Sequence, residues 1–326
     1  MKKILITGGA GFVGRYFTKF FLDKKFEVVV VDNIEKYTGG LEPSKWPLYI
    51  PLDYKNFNFV KQDCRDWFKH CNEKDYDYVF HLAAKVGGRQ MIENSPIAIA
   101  DDLSIDSHFW QWATLNKPKK VITFSSSACY PIKYQTKNNH ILLKESLINF
   151  NEDIGIPDLT YGWAKLTSEY LGLIAYQKYG INSACYRPFS GYGKDQDSNY
   201  PFPSICQRVM DNLNKKKIEV WGSGDQERDF IHIEDCVLGV TSTMDSINDG
   251  SAMNLSTGKV TNFKQFTKIA ANILGFNPEV YGLSNKPEGV FSRGGDTELQ
   301  KKMGFTNKIN FEDGIKEALS YYDNLR

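Results

Sequence analysis

The chain has 326 residues, of which 41% are hydrophobic and 24% are charged, and its 40 basic and 39 acidic residues leave a formal net charge of +1. This composition excludes disordered, collagen-like and low-complexity classes, and the charge balance gives no reason to expect nucleic acid or an anionic membrane as a partner. No apolar run approaches the roughly 20 residues that span a bilayer, no secretory signal is visible, and six cysteines are too few for a disulfide scaffold. We therefore expect a cytoplasmic protein. The spacing of Cys64, His70 and Cys71 matches no zinc pattern, so we expect no metal.

Short apolar runs rich in Val, Ile and Phe alternate with helix-like stretches through the first half of the chain. Their near-continuous apolarity predicts strands that are buried on both faces of a parallel sheet. In chain order we predict a strand over 3–7, a helix over 11–22, strands over 27–32, 57–62 and 76–82, a helix over 96–116, a strand over 120–124, a helix over 160–179 and a strand over 181–186. This alternation predicts an α/β fold built on a Rossmann-type, doubly wound parallel sheet.

The other segments do not show this alternation of strand and helix. Residues 35–53 carry turn signals and predict a loop beside the sheet, and residues 188–228, rich in Gly, Pro, Asp and Tyr, predict a binding loop rather than core. The stretch after Gly250 has mixed helix signals and ends in an amphipathic helix over 311–322. We predict a Rossmann domain over 1–187, to which 229–246 returns, and a smaller C-terminal substrate-binding domain over 188–326.

A glycine-rich loop, TGGAGFVG at residues 7–14, follows the first predicted strand and opens the first helix. Gly8, Gly11 and Gly14 suit a tight turn, close backbone approach to a pyrophosphate, and packing of helix on strand. The helix N-terminus then offers unpaired N–H groups to the phosphates. Asp32 ends the second strand, where a carboxylate can accept hydrogen bonds from a ribose diol and repels a 2′-phosphate, which favours NAD over NADP.

Further cofactor contacts are expected where the later strands end. Asp63 ends the third strand, and the HLAA segment at 81–84 ends the fourth, where small residues let a dinucleotide lie across the sheet edge. The residues predicted to bind the cofactor are therefore Gly8, Gly11, Phe12, Val13, Gly14, Asp32, Asn33, Asp63, Cys64, Leu82, Ala83, Ala84, Tyr161 and Lys165.

Tyr161 and Lys165 are four residues apart in a helical stretch, so they share one face. Free tyrosine has a pKa of about 10, and a nearby ammonium would lower it by favouring the phenolate. The serine cluster FSSSACYP at 124–131 follows the fifth strand, and a hydroxyl there could share a substrate proton with Tyr161. Either pattern alone is also compatible with a helix surface pair or a polar turn.

Taken together, these segments resemble the extended short-chain dehydrogenase/reductase family, in its nucleotide-sugar epimerase branch. The resemblance covers essentially the whole chain and also includes RDFIH at 228–232. HLAAKVGG at 81–88 resembles GDP-fucose synthases and GDP-mannose 3,5-epimerases, and WGSG at 221–224 and PEGV at 287–290 followed by Arg293 resemble the latter. The resemblance implies a nicotinamide cofactor, a GDP- or UDP-linked sugar as substrate, and a homodimer packed through the helices over 96–116 and 160–179.

The resemblance also frames the choice of reaction. The shared first step is removal of hydride from a sugar carbon, usually carbon 4, while Tyr161 takes the hydroxyl proton. Family dehydratases and decarboxylases carry carboxylates just after the catalytic serine or threonine, whereas this chain has Ala128 and Cys129 there. Two paths remain: the keto sugar rotates and is reduced on its other face, or a thiol, Cys129, moves protons at carbon 3 or 5.

The alignment of this loop leaves two alternatives open. Without a gap, Ser126 is the catalytic serine and Ala128 takes the place of the thiol; with a gap, the catalytic pair is Ser127 and Cys129. Cys129 as a buried structural thiol is equally compatible with the sequence.

The predicted substrate-binding residues are Lys85, Gly87, Arg187, Arg228 and Arg293. Of these, Arg228 and Arg293 match family positions that bind the nucleotide or diphosphate, and a guanidinium fork suits phosphate. Surface salt bridges remain an alternative for the last two arginines. Asp102 falls where the family usually has Asn, which indicates either a changed hydrogen-bonding role or a solvated helix carboxylate.

We therefore predict an NAD-dependent nucleotide-sugar epimerase, in a pathway for cell-surface polysaccharide or an unusual sugar. One alternative is a nucleotide-sugar reductase or oxidase like GDP-fucose synthase, although Asp32 argues against the NADPH that such reductases commonly use. The other is a non-catalytic dinucleotide-binding protein.

Overall fold

The computed structural model of the protein describes residues 1–35, 38–71, 73–86, 89–283, 285 and 288–326, with the backbone alone at 89–91. None of the helices in this described part is long and apolar enough to cross a membrane. The helices are α1 (Phe12–Asp23), α2 (Cys64–His70), α3 (Arg89–Asn94), α4 (Pro96–Ile99), α5 (Asp101–Asn116), α6 (Leu159–Tyr179), α7 (Pro201–Asp211), α8 (Ile233–Thr243), α9 (Phe263–Ile273), α10 (Glu298–Lys302) and α11 (Phe311–Asp323).

The strands are β1 (Lys3–Thr7), β2 (Glu27–Asp32), β3 (Phe57–Lys61), β4 (Tyr78–His81), β5 (Val121–Phe124), β6 (Gln135–Thr136), β7 (Asn139–His140), β8 (Leu142–Leu143), β9 (Ser183–Pro188), β10 (Ser190–Tyr192), β11 (Lys217–Trp221), β12 (Glu227–Arg228), β13 (Phe230–His232), β14 (Asp249–Leu255), β15 (Thr261–Asn262), β16 (Glu279–Leu283) and β17 (Ser292–Gly295). Seven of them form a parallel sheet in the order β14-β9-β5-β4-β1-β2-β3. The chain order reverses between β1 and β4, which makes this pair the topological switch point.

Side chains that alternate along the strands form two apolar layers, one on each face of the sheet. Ile4 and Ile6 of β1 face one layer, with α1 and α8, whereas Leu5 faces the other, with α2 and α5. Because successive strand side chains point to opposite faces, a run of apolar residues is required wherever helices cover both faces. The apolar runs of the sequence therefore correspond to a sheet that is covered on both sides.

The predicted α/β, doubly wound parallel fold is confirmed. The strands predicted over 3–7 and 27–32 are β1 and β2, and the helix predicted over 160–179 is α6 with one added residue. The helix predicted over 96–116 is two helices, α4 and α5, which meet at Ala100.

The prediction of a binding loop without core residues over 188–228 is wrong. This segment contains α7, whose Phe202, Ile205 and Val209 are buried in an apolar cluster with residues of α9 and α11. Aromatic rings join the cluster, since Phe230 stacks on Phe311 with centroids 4.7 Å apart. Pro201 and Pro203 lie in the first turn of α7, and Tyr192 is buried in the same cluster, so the Pro and Tyr content does not indicate an absence of packing.

The chain after Asp229 returns to the sheet. Helix α8 packs against the same apolar layer as α1, through Ile233, Cys236 and Val240. Strand β14 then pairs with β9 at the edge of the sheet, a strand that the sequence did not predict because DGSAMNL lacks β-branched residues. The division into domains at residue 187 stays a prediction.

Arg187 was predicted to bind substrate, but its guanidinium is buried and donates its hydrogen bonds to other groups of the protein. Its Nε and Nη2 donate to the two carboxylate oxygens of Glu169 at 2.8 and 2.6 Å, and Nη1 donates to the Tyr130 hydroxyl at 3.0 Å. Both members of the ion pair are buried. Since this bidentate pair links β9 to α6, the residue has a structural position.

Replacing Arg187 with Met should lower the free energy of unfolding by about 3–5 kcal/mol, because the Glu169 carboxylate would be left buried without its partner. Urea unfolding followed by circular dichroism measures this change. The double variant Arg187→Met/Glu169→Leu removes both charges and should recover most of the loss, while Tyr130 keeps its hydrogen bond to Asn254. An unchanged unfolding midpoint in the single variant would contradict the structural assignment.

Candidate active site

A cavity of about 730 Å³ opens at the carboxyl ends of β1, β2, β4 and β5. Ligand sites in open parallel sheets lie at this edge and at the switch point, and pockets for small molecules have this range of volume. The cavity is lined by all of the residues that the sequence predicted to bind the cofactor: Gly8, Gly11, Phe12, Val13, Gly14, Asp32, Asn33, Asp63, Cys64, Leu82, Ala83, Ala84, Tyr161 and Lys165. Lys85, predicted to bind substrate, and Ser126, predicted to be catalytic, also line it.

The glycine loop is packed so tightly that Gly8, Gly9 and Gly14 leave no room for a Cβ. Gly8 has a φ of +73°, and a Cβ there would lie 2.6 Å from the backbone nitrogen of Ala83. A Cβ on Gly14 would lie 2.4 Å from the carbonyl oxygen of Gly8. Gly11, the N-cap of α1, differs because its Cβ would meet no described atom closer than 3.4 Å. The loop therefore brings the first-turn N–H groups of α1 to the cavity wall, where they can bind an anion.

Asp32 is held in one orientation at the end of β2. Its Oδ2 accepts a hydrogen bond from the Ala10 amide at 2.9 Å and its Oδ1 accepts one from the Ile34 amide at 2.7 Å. Burial raises the pKa of this carboxyl and the two amides oppose the rise. A fixed carboxylate beside the glycine loop is the group that a ribose diol requires.

Asp63 and Cys64 form the wall next to Asp32. Asp63 caps α2 by accepting from the Arg65 amide at 2.9 Å, and it pairs with the Arg65 guanidinium at 2.8 Å. The Arg65 hydrogen bond holds the pKa of Asp63 below its usual range. Burial raises the pKa of Cys64 to about 12, so this thiol is neutral near pH 7.

The segment after β4 forms the opposite wall. The Ala83 backbone lies against Gly8, and Lys85 Nζ pairs with Asp101 at 3.0 Å. Gly87, which was predicted to contact substrate, lies outside the described residues.

Tyr161 and Lys165 come from the first two turns of α6, and both line the cavity. Burial raises the pKa of Tyr161, while the Lys165 ammonium and a hydrogen bond from Ser126 act in the opposite direction. For Lys165, burial would lower the pKa, but the charges of Asp102 and Tyr161 more than reverse this effect and the pKa is raised. Lys165 is thus charged near pH 7, and its Nζ lies 5.8 Å from the centre of the Tyr161 ring.

The structure separates the members of the serine cluster. Ser126 lines the cavity beside Tyr161, and its Oγ also accepts from the Ala128 amide at 3.1 Å. Ser127 is buried and is not among the described residues that line the cavity. This placement favours the alignment without a gap, in which Ser126 is the candidate catalytic serine.

Cys129 is fully buried in a cluster with Tyr130, Leu143, Leu166 and Phe189. Burial and the Glu169 carboxylate raise the pKa of its thiol well above the usual value. Cys129 is not among the described residues that line the cavity. The acid–base role predicted for it as one alternative therefore does not fit this geometry, and Ala128 stands at the corresponding place in the loop.

Arg228 and Arg293 lie side by side, because β12 and β17 are parallel and these residues are register partners. Arg293 Nη2 pairs with Asp158 at 2.8 Å, and its Nε donates to Gln135 at 2.6 Å. Neither arginine belongs to the described lining of the cavity, so their role in substrate binding stays a prediction.

Two polar side chains of the site, His81 and Asp106, were given no role from the sequence, whereas Asp102 was singled out there. Asp106 lines the cavity and accepts from His81 Nε2 at 3.1 Å when that nitrogen is protonated, while His81 Nδ1 lies 2.8 Å from the Thr7 hydroxyl. Asp102 lies one turn earlier on the same side of α5, buried, with Oδ2 3.4 Å from Lys165 Nζ. The signal in the sequence was two aspartates four apart among the apolar residues of a helix that must be buried.

A buried ion pair at the rim was also missed. Arg15 of α1 pairs with Asp195 at 2.8 Å, across 180 residues of sequence, and Tyr16 donates to the same carboxylate at 2.7 Å. These contacts hold the loop around 195 over the glycine loop, and no sequence pattern links positions that far apart. In the described part of the chain, no group of three or more His, Cys, Asp or Glu side chains is placed to hold a metal ion.

Comparison with known proteins agrees with this geometry. The chain is 26% identical to GDP-mannose 3,5-epimerase 1 of Oryza sativa subsp. indica, over 96% of this chain and 80% of that protein, and 25% identical to UDP-glucuronate 4-epimerase of Thermodesulfobacterium geofontis, over 97% and 95%. Its fold is similar to that of UDP-glucose 4-epimerase from Thermotoga maritima, solved with UDP-glucose, at a TM-score of 0.82 and 23% identity over 99% of both chains.

A model of the NAD dependent epimerase/dehydratase family matches residues 4–256, which is well over half of the chain. The resemblance to extended short-chain dehydrogenases/reductases and the prediction of NAD are both confirmed. This chain is a member of the NAD dependent epimerase/dehydratase family, and its cofactor is NAD.

Proposed function

We propose that the protein is a nucleotide-sugar 4-epimerase that acts through a transient 4-keto sugar, on a GDP- or UDP-linked substrate. The observation that carries this proposal is that Tyr161, Lys165 and Ser126 line the same cavity as the glycine loop and Asp32. A proton-exchanging group and a cofactor cradle in one cavity favour an enzyme over a passive dinucleotide-binding protein.

The residues present fit NAD. The first-turn amides of α1 at Phe12 and Val13 suit the pyrophosphate, the Asp32 carboxylate suits a ribose diol, and Lys165 suits the second ribose. When bound, NAD supplies reversible hydride acceptance. The open space at Gly11, compared with the closed contacts at Gly8 and Gly14, leaves backbone exposed where the pyrophosphate would lie.

The chain's own residues perform the proton transfer. Tyr161 accepts the proton of the sugar 4-hydroxyl as the carbonyl forms, Ser126 donates a hydrogen bond to the phenolate oxygen, and the Lys165 ammonium stabilises its charge. After the keto sugar turns its other face to the cavity, Tyr161 returns the proton to the new 4-hydroxyl. One acid–base group therefore serves both halves of the reaction.

The placement of Cys129 favours carbon 4 over carbons 3 and 5. Inversion at carbon 3 or 5 needs a further base to remove a C–H proton, and the thiol that could have acted lies in the buried cluster with Glu169 nearby. Simple rotation of a 4-keto sugar needs no base other than Tyr161. Relatives named as 4-epimerases and as a 3,5-epimerase match this chain at similar identity, so the placement of Cys129 alone carries this preference.

The outer faces of α5 and α6 support a homodimer. Leu103 and Leu115 of α5 and Trp163 and Tyr170 of α6 are exposed, on helices that pack against each other. Large apolar side chains on neighbouring helices indicate a surface that a partner covers, and a second copy would place four helices together.

Replacing Gly11 with Ala should leave the fold intact but weaken NAD binding at least about tenfold, which corresponds to 1.4 kcal/mol, because the added Cβ enters the space for the pyrophosphate. Calorimetric titration with NAD measures the change. Gly14→Ala is the matched control: its Cβ meets backbone at 2.4 Å, so this variant should lose stability instead. Normal NAD affinity in Gly11→Ala would contradict the placement of the pyrophosphate against Gly11.

Incubating the protein with NAD and a panel of UDP- and GDP-sugars in heavy water should yield a 4-epimer that carries no solvent deuterium at carbon 3 or 5. No net NADH should accumulate, because hydride returns to the same sugar. Mass spectrometry and proton NMR of the products measure both outcomes. Deuterium at carbon 3 or 5 would indicate enolisation, and stoichiometric formation of NADH would indicate an oxidase. In a parallel incubation with NADH or NADPH in place of NAD, stoichiometric consumption of the reduced cofactor would indicate a reductase.

The control for this experiment is Tyr161→Phe, which lacks only the phenol oxygen. It should lower turnover by about 10²–10⁴-fold while NAD affinity is retained. Full activity in this variant would show that the acid–base assignment is wrong.

Trp163→Asp should convert the dimer into a monomer, because a carboxylate cannot be buried without a partner in an apolar interface. Light scattering after size-exclusion chromatography measures the mass. Leu52→Asp, at another exposed leucine away from α5 and α6, should remain dimeric. A wild-type protein that is monomeric at micromolar concentration would exclude this interface.

A further inference from the structure

Helix α5 brings two carboxylates, one turn apart, into the protein interior at the active site, where Asp106 lines the cavity and Asp102 does not. Asp102 is 1% exposed and Asp106 is 4% exposed. Each has one oxygen, Oδ2, without a hydrogen-bond partner among the described residues. Buried carboxylates are costly unless charges or hydrogen bonds compensate them, so their presence beside Lys165 requires a physical explanation.

Asp102 reaches the cavity only through another side chain. Its Oδ1 accepts a hydrogen bond from the Lys85 amide, which fixes the carboxylate, and its Oδ2 lies 3.4 Å from Lys165 Nζ. Lys165 lines the cavity, whereas Asp102 is not among the described lining residues. The carboxylate therefore lies behind the ammonium that faces Tyr161.

The charged and titratable groups around this pair come from several elements. Tyr161 is influenced by Lys165 on its own helix, by Asp102 on α5, and by Ser126 and Cys129 in the loop after β5, and it influences Tyr200 just before α7. Lys165 is influenced in turn by Asp102, Asp106 and Tyr161. One ammonium thus lies among two carboxylates and a phenol, and the balance of their charges decides where the proton rests.

We propose that Asp102 is a positioning residue that holds Lys165 as the ammonium beside Tyr161 and offsets part of its charge, so that Tyr161 ionises less readily than it would beside Lys165 alone. The proposal rests on the proposed function only in taking Tyr161 as the group that exchanges the substrate proton.

The two effects follow from one charge in a buried site. Burial disfavours the charged form of Lys165, and an anion at 3.4 Å restores it. The same anion opposes ionisation of Tyr161, since a like charge nearby disfavours a phenolate. When Asp102 loses its charge but keeps its shape, Asp106 still supports the Lys165 ammonium, while an anion that opposes the phenolate is gone. Tyr161 should therefore become more acidic.

Asp102→Asn is the direct test, because the amide oxygen can still accept from the Lys85 amide. Ultraviolet absorbance of tyrosinate is titrated in protein freed of cofactor, and the curve of the corresponding Tyr161→Phe protein is subtracted to isolate residue 161. The titration of Tyr161 should move about 1 pH unit lower in Asp102→Asn. Asp102→Ser, which removes the charge with a smaller side chain, should move it in the same direction.

Asp101→Asn is the matched control. Asp101 neighbours Asp102 on α5, but its carboxylate is partly exposed and pairs with Lys85 and Arg65 rather than Lys165. Its loss should leave the titration of Tyr161 in place, since solvent screens exposed charges.

The pH profile supplies a second measurement. With holoenzyme and a substrate found in the panel above, the acid limb of kcat/KM should move to lower pH in Asp102→Asn by the same amount as the absorbance titration. A titration or acid limb that is unchanged, or that moves to higher pH, would overturn the proposal. If no epimerase activity is found, the absorbance titration still decides the role of Asp102, so the two proposals fail separately.

Discussion

The contact between the glycine loop and the end of β4 is the constraint on which the site depends. Gly8 lies against the Ala83 backbone, and Gly14 lies against the Gly8 carbonyl, at distances that leave no room for a Cβ. These contacts press the start of α1 onto the switch point between β1 and β4. Because all seven strands are parallel, their carboxyl ends meet at this edge, and side chains from distant parts of the sequence converge on it.

The chemistry then depends on how two helices pack. Helices α5 and α6 lie side by side, and the polar side chains between them are buried rather than solvated. Lys165 has the Tyr161 phenol on one side and the Asp102 carboxylate on the other. In water such charges would interact weakly, but burial strengthens the interactions between them. The proton affinity of Tyr161 therefore depends on how the two helices pack.

Polar contacts across long stretches of sequence hold the rest of the chain to this sheet. Asp229 is fully buried and accepts hydrogen bonds from the amides of Thr257 and Gly258, so the RDFIH segment anchors the turn after β14. Arg187 and Glu169 join β9 to α6, and Arg15 and Asp195 close the rim of the cavity. Each of these groups would be costly to bury alone, so they favour one arrangement of the chain.

The sequence by itself determined the elements whose cause is local. The apolar runs predicted β1 and β2 at their observed bounds, because a strand covered on both faces needs an apolar residue at every position. The glycine spacing, Asp32 and the Tyr161–Lys165 pair were also predictable, since turns without Cβ atoms and one-turn helical spacing are properties of short segments.

Tertiary structure decided what depends on contacts between distant segments. It placed Ser126 rather than Ser127 in the cavity, buried Cys129, and paired the Arg187 guanidinium with the Glu169 carboxylate. It also turned Asp102 toward Lys165, which lies 63 residues later in the chain. A side chain's chemistry follows from its type, but its partner, burial and proton affinity follow from neighbours that only the packed sheet and helices bring together.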